Sequence, residues 1–126
     1  MVISMEDLPP YKTIYEYLQV NKKDHKSLLV ARNLCRAVAE LHSLNIIHGD
    51  LATGNIIVNS ATSEVKLIDF DQTSYDGTTK PAAGNEDFVS AEMWKNIEEK
   101  EEIESSIFED LLALALNVYL LIGDTK

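Results

Sequence analysis

The stretch from Ile107 to Ile122 constrains the fold most. After its opening turn it reads LLALALNVYLLI, apolar on nearly every side. Ser106-Ile107-Phe108-Glu109 is a capping-box pattern that starts it, and Gly123 stops it. A helix that is apolar all round must be enclosed by other elements. A membrane span is excluded for this run, because crossing a bilayer takes roughly 20 apolar residues. The chain is therefore expected to pack other elements around a central helix over 107–122.

The remaining elements follow from periodicity and punctuation. Leu28, Ala31, Leu34, Cys35, Val38, Leu41 and Leu44 recur at helical spacing and predict an amphipathic helix over 27–44. Ser27 is its expected N-cap and Asn45 follows its C-terminus. His42, near that end, reads as a surface residue favoured by the helix dipole. A shorter helix is expected over 12–20, ended by Asn21-Lys22-Lys23-Asp24. Val2 to Met5 reads as a short buried strand, stopped by Leu8-Pro9-Pro10. Ile56–Val58 and Val65–Ile68 are two short strands joined by the polar turn Asn59 to Ser63, a hairpin. Gln72 to Gly84 reads as a long polar loop, and long loops in compact domains are often functional. Glu86 to Asn96 includes a short helix with Trp94. Glu98 to Glu104 (EEKEEIE) is an acidic run read as solvated surface.

Bulk properties narrow the class. The chain has 126 residues, enough for one small domain. Its net charge is −10, with 21 acidic against 11 basic residues, which argues against nucleic acid or an anionic membrane as partner. A single cysteine, Cys35, excludes an internal disulfide and fits a reducing compartment; it reads as a small core residue. The first residues lack the charged start of a signal peptide. The expected location is the cytoplasm, or the nucleus.

The chemistry concentrates in two stretches. His48-Gly49-Asp50-Leu51-Ala52-Thr53-Gly54-Asn55 runs into the β-branched Ile56-Ile57-Val58. Val65-Lys66-Leu67-Ile68 ends in Asp69-Phe70-Asp71. Asp50, Asn55 and Asp69 are three oxygen-bearing side chains beside strand-like segments. A hard cation such as Mg²⁺ takes one or two such oxygens from protein and completes its shell with phosphate and water. A further carboxylate beside it can orient or deprotonate an attacking hydroxyl. Phosphoryl transfer needs this equipment, because positioning and charge neutralisation supply most of its catalysis.

These residues resemble the eukaryotic-type protein kinase family. His48-Gly49-Asp50-Leu51 with Asn55 is similar to the catalytic loop His-Arg-Asp-Leu-x-x-x-Asn. Asp69-Phe70-Asp71 resembles the metal-binding Asp-Phe-Gly. Gly84-Asn85-Glu86-Asp87-Phe88-Val89-Ser90-Ala91-Glu92 resembles the end of the activation segment, Gly-Thr-x-x-Tyr-x-Ala-Pro-Glu. Asp110 on the apolar helix matches the family's central buried helix, and Ser4 to Leu8 its adenine-binding hinge. Four motifs in order make the pattern specific.

The resemblance implies an α+β, kinase-like fold, a mainly helical large lobe with a short β-hairpin carrying the reactive residues. Residues 1–126 would be part of such a domain: hinge 1–10, helices 12–20 and 27–44, catalytic loop 48–55, metal motif 69–71, activation segment 69–92 and buried helix 107–122. It further implies ATP and Mg²⁺ as cofactors. Asp50 would be the catalytic base or orienter. Asn55 and Asp69 would bind Mg²⁺ on the ATP phosphates, and the backbone of Glu6 and Leu8 would face adenine. His48 and Asp110 would support the loop, and Glu92 would make a structural ion pair. The γ-phosphate would pass to a protein hydroxyl, with Ser or Thr favoured over Tyr.

The departures are as specific as the matches. The 126 residues contain neither a Gly-rich loop nor the strand Lys of Val-Ala-Ile-Lys. The chain is thus expected to start at the hinge, to lack the small lobe and to be inactive on its own. Gly49 replaces an Arg that receives an activation-loop phosphate, so switching through that Arg is not expected. Ala52 stands where Ser/Thr kinases carry a Lys near the γ-phosphate, and Asp71 replaces a Gly. Two alternatives share part of the pattern. Small-molecule kinases of the aminoglycoside or choline kinase type also use His-Gly-Asp-Leu, but lack the element resembled by Ser90-Ala91-Glu92. A non-catalytic pseudokinase remnant fits the missing small lobe. The strand at Val2 to Met5 and the apolar helix over 107–122 are expected to leave a large exposed apolar patch, for a protein partner or for aggregation.

Overall fold

The computed structural model describes residues 11–20 and 25–123. The expected strand at Val2 to Met5, the Leu8-Pro9-Pro10 break, the hinge residues Glu6 and Leu8, and the polar run 21–24 lie outside these residues.

The described chain is a mixture of helix and short antiparallel sheet. In order it forms β1 (Tyr11–Thr13), α1 (Ile14–Val20), α2 (His25–Ser43), β2 (Ile46–Ile47), a 3₁₀ turn (Thr53–Asn55), β3 (Ile56–Asn59) and β4 (Val65–Leu67). Then follow β5 (Ser74–Tyr75), β6 (Thr79–Pro81), a second 3₁₀ turn (Glu86–Phe88), α3 (Ala91–Glu98), β7 (Glu102–Glu104) and α4 (Ile107–Ile122). The central sheet has the order β1-β3-β4, with β2 paired to β5 and β6 to β7.

The β3–β4 hairpin forms because Ile56, Ile57 and Val58 are β-branched and fully buried. The Asn59 side chain shapes its turn, accepting from the amides of Ala61 and Thr62. β1 pairs with β3, Tyr11 opposite Asn59, a strand inside the region expected to be helical from residue 12. Thr13 then opens α1: its hydroxyl accepts from the amide of Glu16, whose carboxylate accepts from the amide of Thr13.

α2 begins two residues before the expected start and buries Ser27, Val30, Ala31, Leu34 and Val38. Its covered stripe is rotated from the expected one. Leu28, Cys35 and Leu44 are exposed, so Cys35 is not a core residue. Val30 instead joins Leu34, which the period did pick out, with Ile14, Tyr17, Ile56, Val58, Ala113 and Leu121 in one core between α1, α2, the central sheet and α4. That core buries several large aliphatic side chains, each worth about 1.5–3 kcal/mol.

α4 is not enclosed on all sides by the described residues. It buries Asp110, Ala113, Asn117 and Leu121, spaced three or four residues apart on one stripe. Phe108, Leu111, Tyr119, Leu120 and Ile122 face outward. The acidic run also differs from its reading as plain solvated surface. Glu102–Glu104 is β7, and it pairs with β6 inside the expected loop 72–84.

Candidate functional site

The loop between β2 and β3 is held from beneath by one carboxylate. Asp110 is buried to 2% exposure in the first turn of α4. Its Oδ2 accepts from the His48 amide at 2.8 Å, and its Oδ1 from the Gly49 amide at 3.0 Å. The same carboxylate lies 2.9 Å from His42 Nε2. His42 is therefore a partner of Asp110, not simply a surface residue at a helix end. Two residues of this small cluster come from elements far apart in sequence, so contact patterns within one helix give no sign of it.

His48 is fully buried and bonded at both ring nitrogens. Nε2 faces the Ile68 carbonyl at 2.9 Å, and a carbonyl can only accept, so Nε2 carries the proton. Nδ1 then accepts from the Asp50 amide at 3.1 Å. The ring also packs on Phe70, centroids 5.1 Å apart. The imidazole thus ties Asp50 to the segment that carries Asp69.

Gly49 has φ +88°, a region that glycine enters without strain. A Cβ there would come within 2.5 Å of the Gln72 carbonyl oxygen. The loop and the segment after Asp69 can be this close only because residue 49 has no side chain.

Asp50 and Asn55 are brought together directly. Asn55 Nδ2 donates to the Asp50 carbonyl at 2.8 Å and to Asp50 Oδ2 at 3.0 Å. With its amide nitrogen so engaged, the side-chain oxygen of Asn55 is the end left to meet a cation. The hairpin register sets Ile56 opposite Leu67, and the Ile68 amide donates to the Asn55 carbonyl at 2.9 Å. Asn55 and Asp69 therefore sit at adjoining ends of paired strands. Asp69 is exposed and has φ +59°, unusual for a residue with a side chain, though Asp adopts it more readily than most. Such strained backbone clusters at functional sites.

The donor set fits Mg²⁺. One amide oxygen and one carboxylate are hard ligands, and Mg²⁺ keeps water and phosphate for the rest of its octahedron. Among the described residues no three His, Cys, Asp or Glu side chains form a metal cluster of their own. Asp50, Ala52, Thr53, Gly54 and Asn55 face an open polar cleft, bounded opposite by Gln72, Gly84, Asn85 and Asp87.

Three further residues make contacts that were not legible in the motifs. Asn117, fully buried on α4, donates to the Leu51 and Ala113 carbonyls, both at 2.8 Å. Its signal was a lone amide in an apolar helix. Its side-chain oxygen finds no partner among the described residues. Ser90 caps α3 by accepting from the Met93 amide, and its own amide and hydroxyl donate to the carboxylate of Glu109 on α4. Glu92, in the first turn of α3, is exposed and forms no ion pair among the described residues. Lys80 Nζ donates to the Gln72 carbonyl at 3.0 Å. Burial pushes its amine below the usual lysine range, against the attraction of Asp110 and, less, Asp50.

Comparison with known proteins places the chain in a family. The bud32 subunit of the EKC/KEOPS complex from Dictyostelium discoideum is 32% identical over 63 residues, covering 47% of this chain and 25% of that protein. Mitogen-activated protein kinase 7 of Arabidopsis thaliana is 40% identical over 57 residues, covering 45% of this chain and 14% of that protein. The chain thus spans a quarter or less of the length of these two relatives. Among solved structures, the kinase PK-1 of Cydia pomonella granulovirus superposes with a TM-score of 0.70 at 16% identity, covering 87% of this chain and 41% of that one. The Toxoplasma gondii protein ROP2, described as having a protein-kinase fold and no enzymatic activity, gives 0.62 at 21% identity, with 76% and 26% covered. These two likenesses speak to the fold alone. The family model for the protein kinase domain matches residues 2–121, nearly the whole chain, and the chain belongs to that family.

Proposed function

We propose that this chain carries the phosphoryl-transfer face of a protein kinase domain that moves the γ-phosphate of ATP to a protein hydroxyl. One observation supports it most: Asn55 donates to Asp50 while the hairpin register sets Asp69 beside Asn55. An orienting carboxylate and a hard-cation donor pair are then neighbours, as in-line transfer requires.

In this reading Asp50 accepts a hydrogen bond from the attacking hydroxyl and takes its proton late in transfer. Asn55 restrains the Asp50 carboxylate, and His48 holds its backbone. Asn55 Oδ1 and Asp69 would hold Mg²⁺, which when bound neutralises charge on the phosphates. The acceptor enters across the open cleft between Asp50 and the 84–87 segment, with Ser or Thr favoured.

Calorimetry with Mg²⁺ and ATP tests the site. Binding by the whole chain is expected to be weak, because no Gly-rich loop or strand lysine in the 126 residues covers the phosphates. It is expected to require Mg²⁺ and to vanish in Asp69→Ala. Binding that is indifferent to Asp69 would sink the reading. In a phosphotransfer assay the chain alone is expected to show negligible turnover. Turnover abolished by Asp50→Asn would support the role of Asp50 and overturn the expectation of inactivity.

The exposed face of α4 supports a protein partner as part of the working unit. One similar protein is, by its name, a subunit of a complex.

A further inference from the structure

Lys80 sits on β6, opposite Ile103 of β7, and its side chain turns inward to a cavity also lined by Gly49, Asp50 and Asp110. Its Nζ reaches the Gln72 carbonyl at 3.0 Å. A Cβ on Gly49 would stand 2.9 Å from that nitrogen and 2.5 Å from the Gln72 oxygen. The amine therefore uses space that any side chain at position 49 would take. A lysine stem is long enough to carry its charge out to water, and most do. Here the charge stays half-buried although desolvation opposes it, with two carboxylates of the site, Asp110 and Asp50, drawing it in.

We propose that Lys80 is a positioning residue of the site: its ammonium fills the gap opened by Gly49, closes the 72–80 segment at the Gln72 carbonyl so that it packs against the loop 48–50, and so fixes where Asp50 stands. The inference rests on the reading of Asp50 as the group that receives the substrate hydroxyl. It makes the cation part of the segment itself, so the segment is held against the loop without any added phosphate.

The test uses the whole chain in a Cys35→Ser background, with amide exchange followed by NMR. Lys80→Met keeps the apolar stem and removes the charge. It is expected to speed exchange of the Gly49 and Asp50 amides roughly tenfold and to shift the side-chain amide signal of Asn55, which bonds to Asp50. The urea midpoint is expected to stay level or rise, since a desolvated charge has gone. A lysine with only a structural role would lower the midpoint as well. Lys80→Cys alkylated with bromoethylamine returns an amine at nearly the same reach, and is expected to restore slow exchange and the Asn55 signal. Wild-type exchange in Lys80→Met overturns the proposal, and so does failure of the amine adduct to restore it. Nucleotide calorimetry with Asp69→Ala separates the two readings. Loss of the Mg²⁺–nucleotide result would leave the exchange result standing, and the reverse also holds.

Discussion

Asp110 organises more of the site than any reacting group does. Its two oxygens receive the amides of His48 and Gly49, and His42 lies against one of them. Asp110→Ala would bury three donors without an acceptor, an expected loss of about 3 kcal/mol or more. Asp110→Asn keeps one accepting oxygen but turns an N–H₂ toward donors, so it recovers part of that. Urea midpoints measure both, and a loss below about 1 kcal/mol for the alanine variant would mean these bonds are not made in solution. Lys80 gives a pH signature. Its folded value lies below 10.5, so between the two values the unfolded chain holds a proton that the folded chain has released. Stability is expected to rise with pH through that window and to be flat there, by comparison, in Lys80→Met. Below the folded value both states are protonated, and the cost of burying the charge is fully present. Urea unfolding of the two proteins across alkaline pH compares them, and a parallel pair of curves would remove the burial argument. Asp50, Asn55, Asp69 and Asp110 were legible as candidates because their spacing lies within motifs. His42 was not, since its partner is 68 residues away and a contact at that distance leaves no local pattern.

The elements show the same division between local and distant causes. The β3–β4 hairpin was readable because β-branched residues and an Asn-led turn lie side by side in sequence. The length of α2 was nearly readable, but not its covered stripe. Leu28 and Leu44 fit the helical period and are still 59% and 62% exposed. Period identifies a helix, whereas neighbours decide which of two adjoining stripes they cover. β7 was hidden by charge. In Glu102-Ile103-Glu104 only Ile103 is half-buried, a period of two over too few residues to outweigh the acidic run around it. Its pairing also explains Pro81. The Ala82 amide donates to Glu101 and the Ser105 amide to Thr78, so the pairs alternate and Pro81, opposite Glu102, falls out of phase where no N–H is needed. Ile103 is in phase. Ile103→Pro is thus expected to release β6 and open residues 72–84 to limited proteolysis, while Glu102→Pro, out of phase like Pro81, leaves them more protected. Equal cleavage of the two variants would show that the β6–β7 ladder does not hold the segment.

Taken whole, the described structure has one covered side of α4 and one apolar side without cover. Phe108 at 73% exposure, Tyr119 at 57% and Ile122 at 43% lie with Leu111 on one stripe of a helix whose opposite stripe sits in the core. Contiguous apolar surface on a folded chain drives association with something, a partner or another copy. The net charge of −10 opposes association between copies, because like charges repel at long range. The two forces respond differently to salt. Added salt screens the repulsion within a Debye length of about 10 Å at 0.1 M and leaves the apolar attraction in place. The weight-average mass in sedimentation equilibrium is therefore expected to rise with both protein concentration and salt, along with binding of an apolar dye. Leu111→Gln with Ile122→Gln should reduce both without lowering the urea midpoint, since neither side chain lies in the core. A partner that covers this face should suppress dye binding in the wild type and lose affinity for the double variant. A chain that stays monomeric at high concentration and high salt, with no dye signal, would show that this face needs no cover.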